Sequence, residues 1–206
     1  LAMAGFNASE AMAALPQVLD LATASGLGLA ESADIASNVI SGFGLAAQDA
    51  ARVSDVLAAA SSRANTDVSQ LGQAMSTVAP ISASLGISVE ETAAAIGVLS
   101  DAGIQGSRAG TAMRGVLASL AGPTDQAQAA LKSYGLTLED VNPETNSLAS
   151  IMGKLQDAGL STADAMTIFG REAASDGNHF YSRWHEADFR RQGCVSGTTT
   201  PVPGRR

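Results

Sequence analysis

The apolar residues of this chain recur in steps of three and four. Val68, Leu71, Met75 and Val78 form one such row, and Ala109, Ala112, Met113, Val116, Leu117 and Leu120 form a longer one. Val53, Val56, Leu57 and Ala60 repeat the pattern, as do Leu148, Ile151, Met152 and Leu155. That spacing places each row on one face of a helix. No run alternates with the period of two that a half-buried strand requires. The pattern predicts helices over residues 8–25, 29–41, 46–64, 67–84, 88–101, 106–121, 124–134, 146–158 and 161–174. The expected fold is therefore all-α, an irregular bundle of about eight or nine short-to-medium amphipathic helices.

The breaks between rows carry a repeated word: glycine, an aliphatic residue, then Ser, Thr or Ala. It occurs at Gly28-Leu29-Ala30, Gly44-Leu45-Ala46, Gly86-Ile87-Ser88, Gly135-Leu136-Thr137 and Gly159-Leu160-Ser161. Glycine accepts the left-handed conformation that ends a helix, and the aliphatic residue staples the turn. The hydroxyl then caps the next helix: Ser88, Thr137 and Ser161 each precede an acid by three residues, at Glu91, Asp140 and Asp164. Glu91 is expected to complete a capping box. Pro16 and Pro80 fall inside helical patterns and are expected to kink or break them, since proline lacks the backbone donor. The glycine words are irregularly spaced, so no solenoid repeat is assigned.

Composition narrows the class. Hydrophobic residues make up 46% of the chain but aromatics only 4%. Alanine is the commonest residue, which suits closely packed helices. Residues 1–170 hold 6 Lys or Arg against 16 Asp or Glu, a net of −10, whereas residues 171–206 hold 6 against 4. That acid excess argues against a nucleic-acid binder, which needs a basic face. The single cysteine, Cys194, rules out an intramolecular disulfide. The chain opens at Leu1 in sequence of helical character, without a signal-like start, and reads as a piece of something longer.

Candidate chemistry is sparse. Gly42-Phe43-Gly44-Leu45-Ala46-Ala47 fits a relaxed dinucleotide fingerprint, but that motif must follow a buried strand, and here it follows a helical row. It reads as a loop between helices. His179, His185, Glu186, Asp188 and Cys194 are metal-ligand residue types at spacings that match no zinc pattern. Glu90 and Glu91 are adjacent, so they point in different directions and serve a helix start better than paired carboxylate chemistry. Residues 1–175 contain neither histidine nor cysteine, and no nucleophile elbow, S-x-x-K pair or phosphate loop appears. No catalytic, cofactor-binding or metal-binding residue is assigned, and the chain is read as a non-enzyme. Residues 68–89 are free of charge for 22 positions, enough to span a bilayer, yet they hold many Ser, Thr and Gln with Pro80 in the middle. They read as a helix packed inside protein rather than in lipid.

After Ser175 the character changes. Phe180, Tyr181, Trp184 and Phe189 are four of the eight aromatics, and residues 196–206 are Gly, Thr and Pro punctuation. Residues 176–206 are expected to form a disordered tail. One reading makes it a natural domain end; the favoured one makes it foreign sequence from a frameshift, a fusion or a gene end.

Specific words then carry a resemblance. They are LAMAGF at residues 1–6, LPQVLDLATASGLGLAESADIASNVISGFGL at 15–45, SDVLAAASSR at 54–63 and TDVSQLGQAMSTVAP at 66–80. They continue as LGISVEETAAAIGVL at 85–99, AGIQGSRAGTAMR at 102–114 and IFGREA at 168–173, in that order. Over about residues 1–175 the chain resembles the core region of bacteriophage tail tape measure proteins. The resemblance implies a structural tail component that sets tail length and scaffolds tube assembly, located in the virion tail lumen and in the host bacterial cytoplasm before assembly. It implies tail tube and tail tip proteins, tail assembly chaperones and further copies of the chain as partners, and no catalytic residue; the acid excess and the polar groups of residues 68–89 argue separately against a specific nucleic acid and against membrane contact of this segment. The competing class is a helical protein interaction module or adaptor of cellular origin, which would share the stripes and caps but not this motif order.

Overall fold

A computed structural model describes residues 7–169. Among these residues the elements are α1 (Ala8–Ser25), α2 (Leu29–Gly42), a 3-10 turn (Ala47–Asp49), α3 (Ala50–Arg63), α4 (Val68–Ser84), α5 (Val89–Asp101), α6 (Gly106–Ala121), α7 (Asp125–Ser133), α8 (Leu148–Asp157) and α9 (Thr162–Phe169), with no strand. The all-α expectation holds. The predicted extension of α9 to residue 174 and the tail after Ser175 lie outside the described residues.

One hydrophobic cluster runs from Ala14 in α1 to Phe169 in α9. Helix α4 is its axis, packed by α2, α3, α5 and α6. That position explains its lack of charge: Leu71, Ala74, Met75, Val78 and Ala79 are fully buried, and an ion on those faces would have to shed its water. No helix among the described residues is long and apolar enough to cross a membrane. Around this axis α1 packs on α3 and α2, α5 on α3, α9 on α6, and α7 on α9. The inward residues are those of the apolar rows, including Leu57, Leu117, Ile151 and Leu155, each 0% exposed.

The small residues set how closely the helices approach. Gly42 of α2 lies where a Cβ would be 2.7 Å from Ala79 Cβ of α4, and Gly72 of α4 lies against Ile35 of α2. Gly110 of α6 faces the α4 backbone itself. Larger side chains at these positions would hold the axes apart.

The glycine words end helices as the sequence suggests, with one shift. Gly44, Gly86, Gly135 and Gly159 take positive φ, but Gly28 does not. At the first break Gly26 is the left-handed residue, with φ 71, and Gly28 is the extended N-cap of α2. The true word there is Gly26-Leu27, which restores the register of glycine followed at once by the aliphatic staple. The hydrogen bonds follow that register: Leu45, Ile87 and Leu136 donate from their backbone N to the carbonyls of Ile40, Ser82 and Leu131, closing the ends of α2, α4 and α7. Ile87, just past Gly86, is buried. Valine at Gly86, held at φ 71, is expected to destabilise the fold by about 1 kcal/mol or more, since a β-branched residue is strained there. Thermal unfolding of Gly86→Val measures it, and an unchanged midpoint would contradict the left-handed cap.

Two further expectations are narrowed. Of the kink or break expected at Pro16 and Pro80, the break does not occur: each lies inside a continuous α1 or α4. Both rings are exposed, as are Met12 and Ser76 four residues earlier, so the carbonyls that lose a partner lie on the solvent side of helices held by their buried rows. Thr137 and Asp140 do form the reciprocal pair, but around a turn at residues 138–141 rather than a new helix. Asn142-Pro143 follows at once, and the residue before a proline is pushed out of the helical region.

Candidate functional site

The first turn of α5 gathers the polar contacts that join separate helices. Ser88 caps the helix, its hydroxyl accepting from the Glu91 backbone N at 3.2 Å. Glu90 reaches across to α3, where Arg52 Nε and Nη2 donate to its two carboxylate oxygens at 2.6 and 2.7 Å. The Arg52 guanidinium holds the Glu90 carboxyl below its ordinary range, and Glu90 in turn raises Arg52.

Glu91 does something else. Its carboxylate does not return to its own helix start to complete a capping box; it accepts from the backbone N of Leu148 at 2.5 Å, at the first turn of α8. Burial pushes its pKa up, opposed by backbone donors at Leu148 and Ala149. Ser147 caps the same helix through the Ser150 backbone N. The Ser88-x-x-Glu91 spacing predicts a local partner, and only the fold shows that a helix start 57 residues away is nearer to hand.

Other polar groups tie the second half of the chain together. Tyr134 at the end of α7 donates to Asp164 at 2.6 Å, and Ser161 donates to the same carboxylate. The Ser161 hydroxyl, then Tyr134, hold Asp164 below the ordinary carboxylate range. Lys154 of α8 pairs with Asp140 at 3.0 Å. Thr137, through hydroxyl and backbone, and then Lys154 bring Asp140 down to about 2. Each of these groups has a structural partner, and each shift follows from it.

The sequence candidates fare differently. Residues 42–47 form the end of α2 and the loop after it: Gly42 packs on Ala79 and Gly44 turns the chain, which is the helix-to-helix loop expected and not a phosphate-binding turn after a strand. His179, His185, Glu186, Asp188 and Cys194 lie outside the described residues. Among the described residues no group of three or more His, Cys, Asp or Glu is placed to hold a metal ion. An open cleft of about 340 Å³ lies where the ends of α1 and α3 meet the start of α4, lined by Ser25, Ser61, Ser62, Thr66 and Asp67 among others. Its Ser25, Ser61 and Ser62 hydroxyls donate to carbonyls of their own helices, and Asp67 caps α4 through the Gln70 backbone N.

Among the described residues, the large exposed apolar side chains are Met12, Leu15 and Leu19 on α1, Leu29 at the start of α2, Leu138 in the turn region and Met166 on α9. Three of the six fall on one helix within eight residues. The helical rows predict the inward faces; this outward row escapes that reading because it adjoins the buried one.

Comparison with known proteins places the chain. It is 39% identical over 181 residues to the tape measure protein of Pneumococcus phage Dp-1, covering 85% of this chain and 16% of that protein. It is 35% identical over 183 residues to the probable tape measure protein of Escherichia phage P2, covering 85% of this chain and 22% of that protein. The chain thus spans about a fifth or less of the length of these curated relatives. No solved structure gives a significant match. Both relatives are phage proteins, which sets aside the cellular adaptor. The family model for phage-related minor tail proteins matches residues 1–171, and the chain belongs to that family.

Proposed function

We propose that residues 7–169 are a docking and assembly bundle within a tail tape measure protein, and not the part that measures. The observation that carries this reading is the shared core. Nine α-helices among the described residues, the longest of 18 residues, fold back on one another into one hydrophobic cluster. A ruler needs length proportional to residue number, which an extended helix supplies at about 1.5 Å per residue. A folded bundle does not. The glycine caps with positive φ at residues 26, 44, 86, 103, 135 and 159 oppose conversion into one long helix.

In this reading the role is structural rather than catalytic. The two relatives are tape measure proteins by name, and the described polar clusters join one helix to another. The partners are tail tube and tail tip proteins, assembly chaperones and other copies, and the place is the virion tail lumen, reached from the host cytoplasm. Its −10 charge over residues 1–170 suits a lumen through which DNA must slide.

An in-frame deletion of residues 8–169 in the intact gene tests the proposal. A docking bundle predicts that tails fail to form or lose control of their length. Viable tails uniformly shorter by roughly 240 Å, the helical rise over the deleted residues, would overturn it.

A further inference from the structure

The hydrophobic cluster is continuous, but the close helix crossings inside it fall into two groups. Helices α1 to α6 cross one another around α4. Helix α7 crosses α9, and α9 reaches the first group through α6. No crossing of comparable extent joins α7, α8 or α9 to any of α1–α5.

The side-chain hydrogen bonds divide at the same place. Tyr134 of α7 donates to Asp164 of α9 and accepts from the Ser161 backbone N at 3.2 Å. Lys154 of α8 donates to Asp140 and, at 3.1 Å, to Asn146 Oδ1, while Asn146 Nδ2 donates to the Glu139 carbonyl at 2.7 Å. These bonds hold α7, the turn region, α8 and α9 to one another. Across the divide, Glu91 of α5 accepts from the Leu148 backbone N, and Ser119 of α6 donates to the Phe169 carbonyl at 3.1 Å.

The covalent joint between the groups is Gly122-Pro123, which belongs to neither α6 nor α7. Gly122 is exposed, and a Cβ there would meet, among the described residues, nothing nearer than the Ala118 carbonyl oxygen at 3.8 Å. No other helix closes on it to fix its dihedral angles, and hinge motions concentrate at such element-terminal residues. A shared core does not prevent partial opening, because proteins open in cooperative units whose cost is set by the contacts each makes with the rest.

We propose that α7, α8 and α9 form an arm that opens from α1–α6 as one cooperative unit, pivoting at Gly122-Pro123, with Glu91 of α5 as the latch on the start of α8. The bundle then has a partly open state short of global unfolding. The inference concerns how the bundle opens and does not rest on the docking reading.

The test is hydrogen exchange of the full 206-residue chain, followed by mass spectrometry of its fragments through a series of urea concentrations below the unfolding transition. Amides of α7, α8 and α9 are expected to share one protection factor, at least about tenfold below that of α4. Two substitutions separate an arm from uniform opening and from local fraying. Ile40 of α2 is buried among contacts that an open arm would leave intact. Ile40→Val is therefore expected to lower protection in α2 and α4 about fivefold and to leave α7–α9 within about 1.5-fold. Glu91→Ala removes the latch and is expected to lower α7, α8 and α9 together, by about tenfold or more, although the bond lost belongs to α8. Equal protection of the arm and α4, an equal loss in the arm on Ile40→Val, or a loss confined to α8 on Glu91→Ala each overturns the proposal. Should Glu91→Ala fail to fold, the parent profile and Ile40→Val decide it.

Discussion

Alanine at Gly110 is expected to destabilise the bundle by about 2–3 kcal/mol, and valine at the same position by more, because the crossing of α6 on α4 leaves no room for a side chain. A Cβ there would lie 2.5 Å from the Ala74 carbonyl oxygen, 2.8 Å from Thr77 Cβ and 2.9 Å from Ala74 Cα. Two of those three atoms are backbone of the central helix, so relief requires α4 or α6 to move as a body. The helix propensity gained on replacing glycine, about 1 kcal/mol, offsets only part of that. Two other helical glycines calibrate the result. Gly97 of α5 would bring a Cβ within 3.2 Å of Ala64 Cβ, a contact that a small adjustment relieves, so Gly97→Ala is expected near neutral. Gly153 of α8 has nothing within 4 Å, and Gly153→Ala is expected to stabilise by about 0.5–1 kcal/mol. Urea unfolding followed by helical circular dichroism gives all three. The order Gly153→Ala, Gly97→Ala, Gly110→Ala from most to least stable is the expected outcome, and a Gly110 variant as stable as the Gly153 variant would refute the close crossing.

The contrast among these glycines shows where sequence reading stops. Rows such as Val68, Leu71, Met75 and Val78 reveal which face of a helix is buried, because burial of one face imposes the helical period. The breaks are legible for the same reason: Gly86-Ile87 and Gly135-Leu136 need residues of particular shape at particular places in a turn. Which helix packs on which leaves no such periodic trace. Gly97, Gly110 and Gly153 all look like interior helical glycines, and only the positions of Ala64, Ala74 and Thr77 tell them apart. The same limit explains Gly28, where two glycines two residues apart offer alternative registers and the staple at Leu27 selects the first. It also explains the surface of α1: Met12, Leu15 and Leu19 merge with a neighbouring buried row, and a linear pattern does not say where the core ends. The candidate chemistry was limited differently, since a loop such as residues 42–47 can be judged from its helical context alone.

Glu91 caps the start of another helix rather than its own, and its charge runs against the usual preference of a helix start. Alanine at this position is expected to destabilise by about 1–3 kcal/mol, the range for leaving a partly buried donor without its acceptor, since the Leu148 backbone N would lose the oxygen that caps α8. That anchor lies at the start of the helix that carries Leu148, Ile151, Met152 and Leu155, all fully buried. Glutamine keeps an oxygen acceptor and discards the charge. A carboxylate at a helix start is usually favoured by the dipole, and that alone would make Gln less stable than the parent. Burial opposes it here, and burial is the larger effect, so the folded-state pKa lies above the ordinary 4.5. By linkage, a raised pKa means stability that is fully present below the unfolded value and lost as pH rises through the folded one. The ionised Glu91 is therefore carried at a cost at neutral pH, and Glu91→Gln is expected to equal or slightly exceed the parent there. Glu90, Asp140 and Asp164 have the opposite sign: their pKa values are lowered, so their contribution is present above about pH 4 and lost as the solution is acidified. Comparing the parent with Glu91→Gln at each pH cancels those shared contributions. Relative to Glu91→Gln, the parent should lose stability as the pH rises from the ordinary carboxylate range through the raised folded-state value, while Glu91→Ala stays below both at neutral pH. If Gln proves as destabilising as Ala at pH 7, the charge on Glu91 and not its oxygen holds α8, and the balance between burial and the helix start runs the other way.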